Sequence, residues 1–203
     1  MKRVYIIRHG QTDYNLRGVV QGSGIDAPLN ETGRRQATAF YEHFKSTPFD
    51  KVYTSTLQRT HQSVGPFLGQ LSHEKHGALD EISWGVYEGK AINLKDRGIF
   101  AELTGKWKLG MLDEALEGGE SPNQVAKRQR KFVPLIQERR DEQNILICMH
   151  GRAMRVFLCV LLGIPLVEMD RFDHSNLCLY ELGMREEGSF ELLRANYTEH
   201  LTV

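Results

Sequence analysis

Two histidines in this 203-residue sequence follow apolar, strand-like runs and are themselves followed by glycine. The run "VYII" leads into Arg8-His9-Gly10, and the run "ILICM" leads into His150-Gly151. An imidazole can act as a nucleophile or a hydrogen-bond donor, and the planar fork of arginine matches the geometry of a phosphate. Glycine lets backbone N–H groups approach a ligand closely. These residue types predict a site for a phosphoryl group.

The elements that position these residues are short strands alternating with helical patterns. Strands are predicted at "VYIIR", "KVYTS" and "NILICMH", and "LCLYEL" with "FELLRANY" forms a closing strand pair. Helices are predicted over residues 30–45 with Asn30 as cap, over 56–71 with a break near Gly65-Pro66, and over 151–163. The alternation predicts an α/β fold, a three-layer α/β/α sandwich whose mostly parallel central sheet carries helices on both faces.

The remaining segments complete one predicted domain over residues 1–203. A helix is predicted to begin at Ser121, with Pro122 at its first position, and to continue to residue 140. Residues 78–120 are irregular and rich in charge and glycine, which predicts an inserted flap over the site.

Strand ends explain why the two histidines should meet. In sheets of this class, ligands bind beyond the carboxyl ends of the strands. His9 and His150 each follow a predicted strand, and Arg59 follows "KVYTS" by a few residues. We therefore predict a phosphate site built from three strand ends.

Composition restricts the partners of the chain. Twenty-six basic residues balance twenty-six acidic residues, so nothing global favours nucleic acid or an anionic membrane, and an anion site must be local. The longest apolar stretch, 156–167, contains Gly163 and Pro165 and is too short to span a bilayer. Cys148, Cys159 and Cys178 lie in apolar runs and are predicted to be buried thiols. We expect a cytoplasmic protein whose partner is a small phosphorylated metabolite; no pattern indicates an oligomeric state.

Several motifs occur together in a characteristic order. They are "RHGQT" (8–12), "PLNETG" (28–33), "YTSTLQRT" (53–60), "LDEISWGVYEG" (79–89), "GGES" (118–121) and "MHG" (149–151). In this order they resemble the histidine phosphatase superfamily, also called the phosphoglycerate mutase-like superfamily. The motifs span about three quarters of the chain, and an ordered set is far more specific than a lone tripeptide.

The resemblance implies roles for individual residues. His9 matches the nucleophile that forms a phosphohistidine, and Arg8, Arg59 and His150 match groups that bind the phosphoryl group. Glu81 matches the general acid that protonates the leaving alcohol. Glu88, seven residues further on, is a competitor for that role.

The resemblance also implies a set of pocket residues and no metal. The further positions implied for substrate binding are Asn15, Gln21, Gly22, Gly151 and Asn176. The arginines and histidines supply the positive charge that a metal would otherwise bring, so no metal and no cofactor are expected. A 2,3-bisphosphoglycerate primer is expected only of a mutase.

Three functions remain open on this reading. A phosphomonoester hydrolase is favoured because the stretch from Glu88 to Gly118 is short and holds a single arginine, Arg97, whereas mutases of the family carry a longer insertion with several arginines. A phosphoglycerate mutase is the first alternative. A non-catalytic interaction module is a remote one, because the catalytic set is intact. The segment "QGSGIDAPLN" (21–30) departs from the tighter spacing that is common in the family.

Other residues are given structural interpretations. Arg152 and Arg155 are interpreted as charges on a helix face, and "HEKH" (73–76) as a surface loop, since it lacks the spacing of a metal motif. The other histidines interpreted as structural or exposed are His43, His61, His174 and His200. The basic patch of the flap, interpreted as a solvated face or as a contact for an anionic substrate tail, comprises Lys90, Lys95, Arg97, Lys106 and Lys108.

Overall fold

A computed structural model describes residues 1–201 of the chain and shows a six-stranded mixed sheet. Its strand order is β3-β2-β4-β1-β5-β6, in which β1 to β4 are parallel and β5 and β6 are antiparallel to their neighbours. The strands are β1 (Lys2–Arg8), β2 (Lys51–Thr54), β3 (Ser72–Lys75), β4 (Asn144–Met149), β5 (Leu179–Met184) and β6 (Phe190–Tyr197).

Helices cover both faces of this sheet. They are α1 (Asp13–Arg17), α2 (Glu31–Phe44), α3 (Gln58–Leu68), α4 (Leu94–Lys108), α5 (Pro122–Arg130), α6 (Val133–Glu138) and α7 (Gly151–Leu162). Short 3₁₀ turns lie at Gly77–Leu79, Gly85–Tyr87, Leu166–Arg171 and Glu199–Leu201. The predicted three-layer α/β/α sandwich with a mostly parallel sheet is confirmed.

Side chains on the two faces of β1 pack against the two layers of helices. Val4 and Ile6 point into the core formed with α5 and α7. Tyr5 and Ile7 point to the opposite side, into the core formed with α2 and α3. Because side chains alternate along a strand, a buried central strand must be apolar at successive positions, and "VYII" meets that requirement.

The register of the central strands sets the position of the site. β1 pairs in parallel with β4, and Arg8 lies opposite Met149. β4 in turn pairs in parallel with β2, and Thr54 lies opposite Cys148. The residues that follow β1, β2 and β4 therefore emerge at one edge of the sheet.

The "HEKH" segment is not a surface loop, and that interpretation was wrong. Its first three residues lie in β3, an edge strand parallel to β2. The strand is polar because it has only one neighbour, and its side chains bond to that neighbour. Lys51 forms an ion pair with Glu74, and His73 hydrogen-bonds to Thr54 over 2.9 Å.

The flap is more regular than the sequence indicated. Residues 78–120 contain α4, a helix of 15 residues whose first turn is closed by a capping box between Asn93 and Asp96. Only Leu103 and Trp107 of α4 are buried. The helix was missed because so small an apolar stripe leaves little helical periodicity in the sequence.

Two predicted helices differ from the structure in whether a proline interrupts them. α3 continues through Pro66 to Leu68, because the proline removes only one N–H donor near the end of the helix. The single helix predicted from Ser121 to residue 140 is instead two helices, α5 and α6. Pro134 lies in the first turn of the second, where its missing N–H donor has no partner within the helix to lose.

Other expectations agree with the structure. The three cysteines are buried and free, and Asn30 caps α2. Within residues 1–201, no helix is both long and apolar enough to cross a membrane.

The Ser121 cap yields a prediction about stability. Ser121 Oγ accepts the N–H of Gln124, and the Gln124 side chain accepts the N–H of Ser121. We expect Ser121→Ala to lower the free energy of unfolding by about 1 kcal/mol, because α5 loses an N-cap. Urea denaturation with an unchanged m-value measures this. The exposed Ser189→Ala is the control, and an equal loss in both variants would contradict the assignment.

Candidate active site

The edge formed by β1, β2 and β4 brings the two predicted histidines together. The backbone N–H of His9 donates to the carbonyl of Met149 over 3.0 Å, which joins the end of β1 to the end of β4. The imidazole centroids of His9 and His150 are 5.1 Å apart. Both rings are almost wholly buried, with 2% and 0% exposed surface.

The His9 ring is held in one tautomer. Its Nδ1 lies 2.7 Å from the carbonyl oxygen of Gly10. Because a carbonyl only accepts, Nδ1 carries the proton and Nε2 keeps its lone pair. Burial holds the pKa of His9 well below its ordinary value, and the positive charges of Arg59 and Arg8 lower that pKa further. His9 is therefore a neutral imidazole with a free basic nitrogen.

His150 is also neutral but has both ring nitrogens engaged. Arg59 Nε donates to His150 Nδ1 over 3.1 Å. The proton therefore sits on Nε2, which donates to Ser55 Oγ over 2.8 Å. Burial lowers the pKa of His150 well below its ordinary value, followed by the charge of Arg59.

Arg59 is fully buried at the centre of this arrangement. Besides its contact with His150, it donates to the carbonyls of Ile25 and Gly22. Burial lowers the pKa of Arg59 to about 10, which leaves the guanidinium charged at neutral pH. Three of its five N–H donors are used in this way, so two remain for a ligand.

Arg8 lies on the other side of the histidine pair. Its Nη1 donates to His174 Nδ1 over 3.2 Å. Its Nε is buried and has no hydrogen-bond partner among residues 1–201. A buried cationic donor without a partner is costly, so its presence points to a ligand that accepts from it.

The predicted pocket asparagines lie against the backbone of His9. Asn176 Nδ2 donates to the carbonyl of His9 over 2.9 Å and to Asn15 Oδ1 over 3.2 Å. Gln21 Oε1 accepts the hydroxyl of Thr12, which caps α1. These three predicted residues therefore brace the loop after β1.

Gly22 and Gly151 are positions of close approach. A Cβ on Gly22 would lie 2.1 Å from Glu88 Oε1, and one on Gly151 would lie 2.8 Å from the His174 ring. Any side chain at either position would displace a neighbour that borders the site.

Glu81 reaches the site from the flap and binds the first turn of α7. Its Oε1 accepts the N–H groups of Ala153 (2.8 Å) and Ile82 (2.9 Å), and its Oε2 accepts the N–H of Arg152 (3.2 Å). The carboxylate thus satisfies orphan donors at a helix N-terminus, where negative charge is favourable. Its negative charge raises the pKa of both Arg8 and Arg59, against the lowering effect of burial, so it lies within electrostatic range of the two guanidinium groups.

Glu88, the competitor of Glu81, has a different environment. Its Oε1 accepts the N–H of Trp84 over 2.9 Å and the hydroxyl of Ser83 over 3.2 Å, and it lies against Gly22 and Gly24. Glu88 therefore joins the flap to the loop after α1, which is a structural contact.

Two residues at the site were missed by the sequence analysis. Ser55 directly follows β2, as His9 follows β1, so its position at a strand end could have identified it. His174 was interpreted only as structural or exposed, yet it is the partner of Arg8. Burial and then the charge of Arg8 lower the pKa of His174 to about 3, so it is a neutral acceptor. Nothing in its sequence context indicated this contact.

Arg152 and Arg155 are charges on a helix, α7, as interpreted from the sequence, but both are largely buried and paired with one carboxylate. Each donates from Nη1 to the same oxygen of Asp170, over 2.6 and 2.5 Å respectively. Each side chain is only 16% exposed.

The other predicted histidines and the basic patch lie outside the cluster around His9. His61 hydrogen-bonds to the Ser55 carbonyl, His43 to Tyr197 and the buried His200 to the Leu177 carbonyl. In the basic patch, Lys106 pairs with Glu102 and Glu114.

Two cavities flank the site. One of about 360 Å³ lies under α4 and is lined by Val20, Gln21, Trp84, Phe100, Thr104 and Arg152, among others. A smaller one of about 180 Å³ is bordered by Ser23, Asp80, Glu81 and Arg128. In the part of the chain that the structure describes, no three His, Cys, Asp or Glu residues are grouped to hold a metal ion.

The buried histidines lead to a prediction about protonation. We expect His9 to be neutral at pH 6, with its proton on Nδ1, because burial and two guanidinium groups lower its pKa. Nitrogen-15 NMR of the imidazole ring measures this. The control is the urea-unfolded chain, whose histidines titrate near about 6.5. The unfolded chain gains protons below that pH that buried His9 and His150 do not, so folding stability should fall with falling pH. A charged His9 at pH 6 would contradict the assignment.

Comparisons with known proteins find phosphatases and a probable mutase that are similar to this chain. Phosphoserine phosphatase 1 of Hydrogenobacter thermophilus is 26% identical over 203 residues, which covers 99% of this chain and 95% of that protein. A probable phosphoglycerate mutase of Photorhabdus laumondii is 29% identical over 171 residues, covering 81% of this chain and 77% of that protein. The crystal structure of the α-ribazole phosphatase from Shigella flexneri superposes with a TM-score of 0.83 at 25% identity and covers 96% of each chain.

The family match spans nearly the whole described chain. Residues 4–198 match the histidine phosphatase superfamily (branch 1), a range that includes every residue of the cluster described above. The predicted resemblance is thus confirmed, and this chain is an enzyme that belongs to the histidine phosphatase superfamily.

Proposed function

We propose that the protein hydrolyses small phosphomonoesters through a phosphohistidine on His9. The observation that carries the proposal is the neutral His9 ring, with its Nε2 lone pair free, under the influence of the charges of Arg59 and Arg8, which both keep unused donors. Arg8 and Arg59 together carry two positive charges, which match the two negative charges of a phosphoryl dianion.

The first half-reaction follows from the positions of His9 and Glu81. Nε2 of His9 attacks phosphorus while the bond from phosphorus to the ester oxygen breaks. Glu81, protonated before this step, gives its proton to the departing oxygen, which leaves as an alcohol. The 180 Å³ cavity beside Glu81 gives it a route for proton exchange with water.

The second half-reaction releases phosphate. A water molecule attacks the phosphohistidine, Glu81 takes up a proton of that water, and the bond between phosphorus and Nε2 breaks. Phosphoryl transfer requires little covalent work of the protein, so charge neutralisation and in-line positioning carry most of the catalysis. His150 contributes by holding Arg59 through Nδ1. Its Nε2–H reaches a phosphoryl oxygen only if it leaves Ser55.

A mutase is the alternative, and the flap supports hydrolysis over it. Arg97, the single arginine between Glu88 and Gly118, is exposed on α4. The cavity under α4 is walled by aromatic and apolar side chains of the flap. The flap therefore directs no arginine toward a phosphoglycerate carboxylate.

Product analysis tests the proposal directly. We expect the purified protein to release phosphate from phenyl phosphate and from 3-phosphoglycerate, with a trace of 2,3-bisphosphoglycerate present in the second case. The release should disappear in His9→Ala, because the nucleophile is lost. Free phosphate and 2-phosphoglycerate are followed together.

The outcomes of that experiment separate the functions. Isomer interconversion with little free phosphate means a mutase. No turnover of any phosphomonoester supports the non-catalytic alternative. Activity should survive a chelator, and a loss that only added divalent metal reverses would contradict the metal-free mechanism.

The role of Glu81 has its own test. We expect Glu81→Gln to slow phosphohistidine formation by about 10²-fold or more, because the leaving oxygen loses its proton donor. Glu88→Gln is the matched control; its amide oxygen still accepts from Trp84, so the rate should change less than about threefold. Rapid-quench measurement of acid-labile phosphoprotein gives both rates. Equal slowing in the two variants would remove Glu81 as the acid.

A further inference from the structure

The cavity under α4 is lined by residues that are close in sequence to residues of the phosphoryl site, but its lining is more aromatic and apolar. Three of its lining residues are close neighbours of site residues: Gln21 precedes Gly22, Trp84 follows Glu81 by three positions, and Arg152 follows Gly151. Arg152 donates its backbone N–H to Glu81, so its Cα lies beside the proposed acid. The cavity and the proposed acid therefore share a contact with the first turn of α7, through Arg152.

Arg152 is held in a fixed position in the cavity wall. Its Nη1 donates to Asp170 over 2.6 Å, and its guanidinium lies over the Trp107 ring at 5.4 Å from the centroid. Trp107 is itself fixed, because its Nε1 donates to the carbonyl of Glu114 over 2.9 Å. Among the described residues, Arg152 makes no other side-chain hydrogen bond, so four of its five N–H donors are unused.

The charge around Asp170 is unbalanced. Besides Arg152, this single carboxylate accepts from Arg155 over 2.5 Å and lies 4.0 Å from the Lys108 Nζ. Three cations thus share one anion in a chain whose net charge is zero. The excess positive charge is local, and of the three cations only Arg152 borders the cavity.

Aromatic side chains supply the other wall. Trp84 contacts Phe100 with ring centroids 5.2 Å apart, and Trp84 stacks on Trp107 at 6.1 Å. Trp84 and Phe100 line the cavity together with Arg152, so its wall combines aromatic side chains with one guanidinium group.

We propose that this cavity binds the leaving group of the substrate, and that Arg152 recognises a second oxyanion on it. The inference rests on the proposed function. It assigns the substrate to phosphomonoesters whose alcohol carries an apolar or planar body and a further carboxylate or phosphoryl group. Arg152 is then a specificity-determining residue that lies on α7 and not in the flap.

Matched substrates test the assignment. Phenyl phosphate supplies the planar body alone, its 3- and 4-carboxy derivatives add a carboxylate, and 1,4-phenylene bisphosphate adds a second phosphoryl group. We expect kcat/KM for at least one of the anionic substrates to exceed that for phenyl phosphate by about tenfold or more at low ionic strength. Whichever anion gives the preference identifies the group that Arg152 binds.

The variants separate recognition from folding. In Arg152→Met the preference, which is the ratio of kcat/KM for the anionic substrate to that for phenyl phosphate, should fall to about one. Asp170 keeps Arg155 in this variant, so the melting temperature should change little. Lys108→Met is the charge control; it removes a cation from the same cluster without altering the cavity, so the preference should stay within about twofold. Arg152→Lys should retain part of the preference for anionic substrates, because it keeps the positive charge.

Several outcomes would overturn the inference. They are an absence of preference in the wild-type protein, a preference that survives in Arg152→Met, and equal losses for phenyl phosphate and its anionic derivatives in that variant. The last result would mean that Arg152 acts on the phosphoryl site itself.

Binding separates this inference from the proposed hydrolysis. Calorimetry compares phenylphosphonate with 4-carboxyphenylphosphonate, neither of which can be hydrolysed. If the wild-type protein releases no phosphate yet binds the carboxylated compound about tenfold more tightly through Arg152, hydrolysis fails and the oxyanion subsite stands. If phosphate is released but neither turnover nor binding shows a preference, hydrolysis stands and the subsite fails.

Discussion

A guanidinium with no exposed surface, that of Arg59, joins three segments that are far apart in the chain. Moving such a charge out of water costs several kcal/mol unless it is well bonded. Here the carbonyls of Gly22 and Ile25 and the Nδ1 atom of His150 accept from it. The loop after α1, the start of α3 and the junction of β4 with α7 are therefore fixed relative to one another. Any phosphoryl site at this edge depends on that bond set.

The same burial determines the chemistry of the histidines. A histidine beside a carboxylate tends to be charged, but His9 and His150 lie beside arginines in a dry environment, which favours their neutral forms. Neutrality gives His9 a lone pair at Nε2, and the Gly10 carbonyl determines which nitrogen has it. In the proposed mechanism, burial and the two arginines keep His9 neutral, and the same arginines bind the phosphoryl group.

In the proposed mechanism, the N-terminus of α7 lies between the phosphoryl group and the leaving group of the substrate. His150, just before the helix, faces the phosphoryl side through Arg59 and Ser55. The first N–H groups of the helix hold Glu81 between the phosphoryl side and the flap. Arg152, one residue further on than Gly151, points to the cavity under α4. One helical turn therefore positions the arginine-bound histidine, the proposed acid and the proposed specificity residue.

What the sequence alone determined is the sandwich and its central cluster. Apolar strands that end in His9 and His150, with Arg59 after the third, place these residues at one sheet edge because parallel strands share their direction. The tertiary structure alone decided the edge strand β3, the flap helix α4, the partnership of His174 with Arg8 and the position of Arg152. Each depends on residues distant in the sequence: β3 is polar because it borders β2, α4 buries only two side chains, and Arg152 meets Asp170 across the turn after α7. The local hydrophobic pattern of a sequence does not indicate contacts between distant residues.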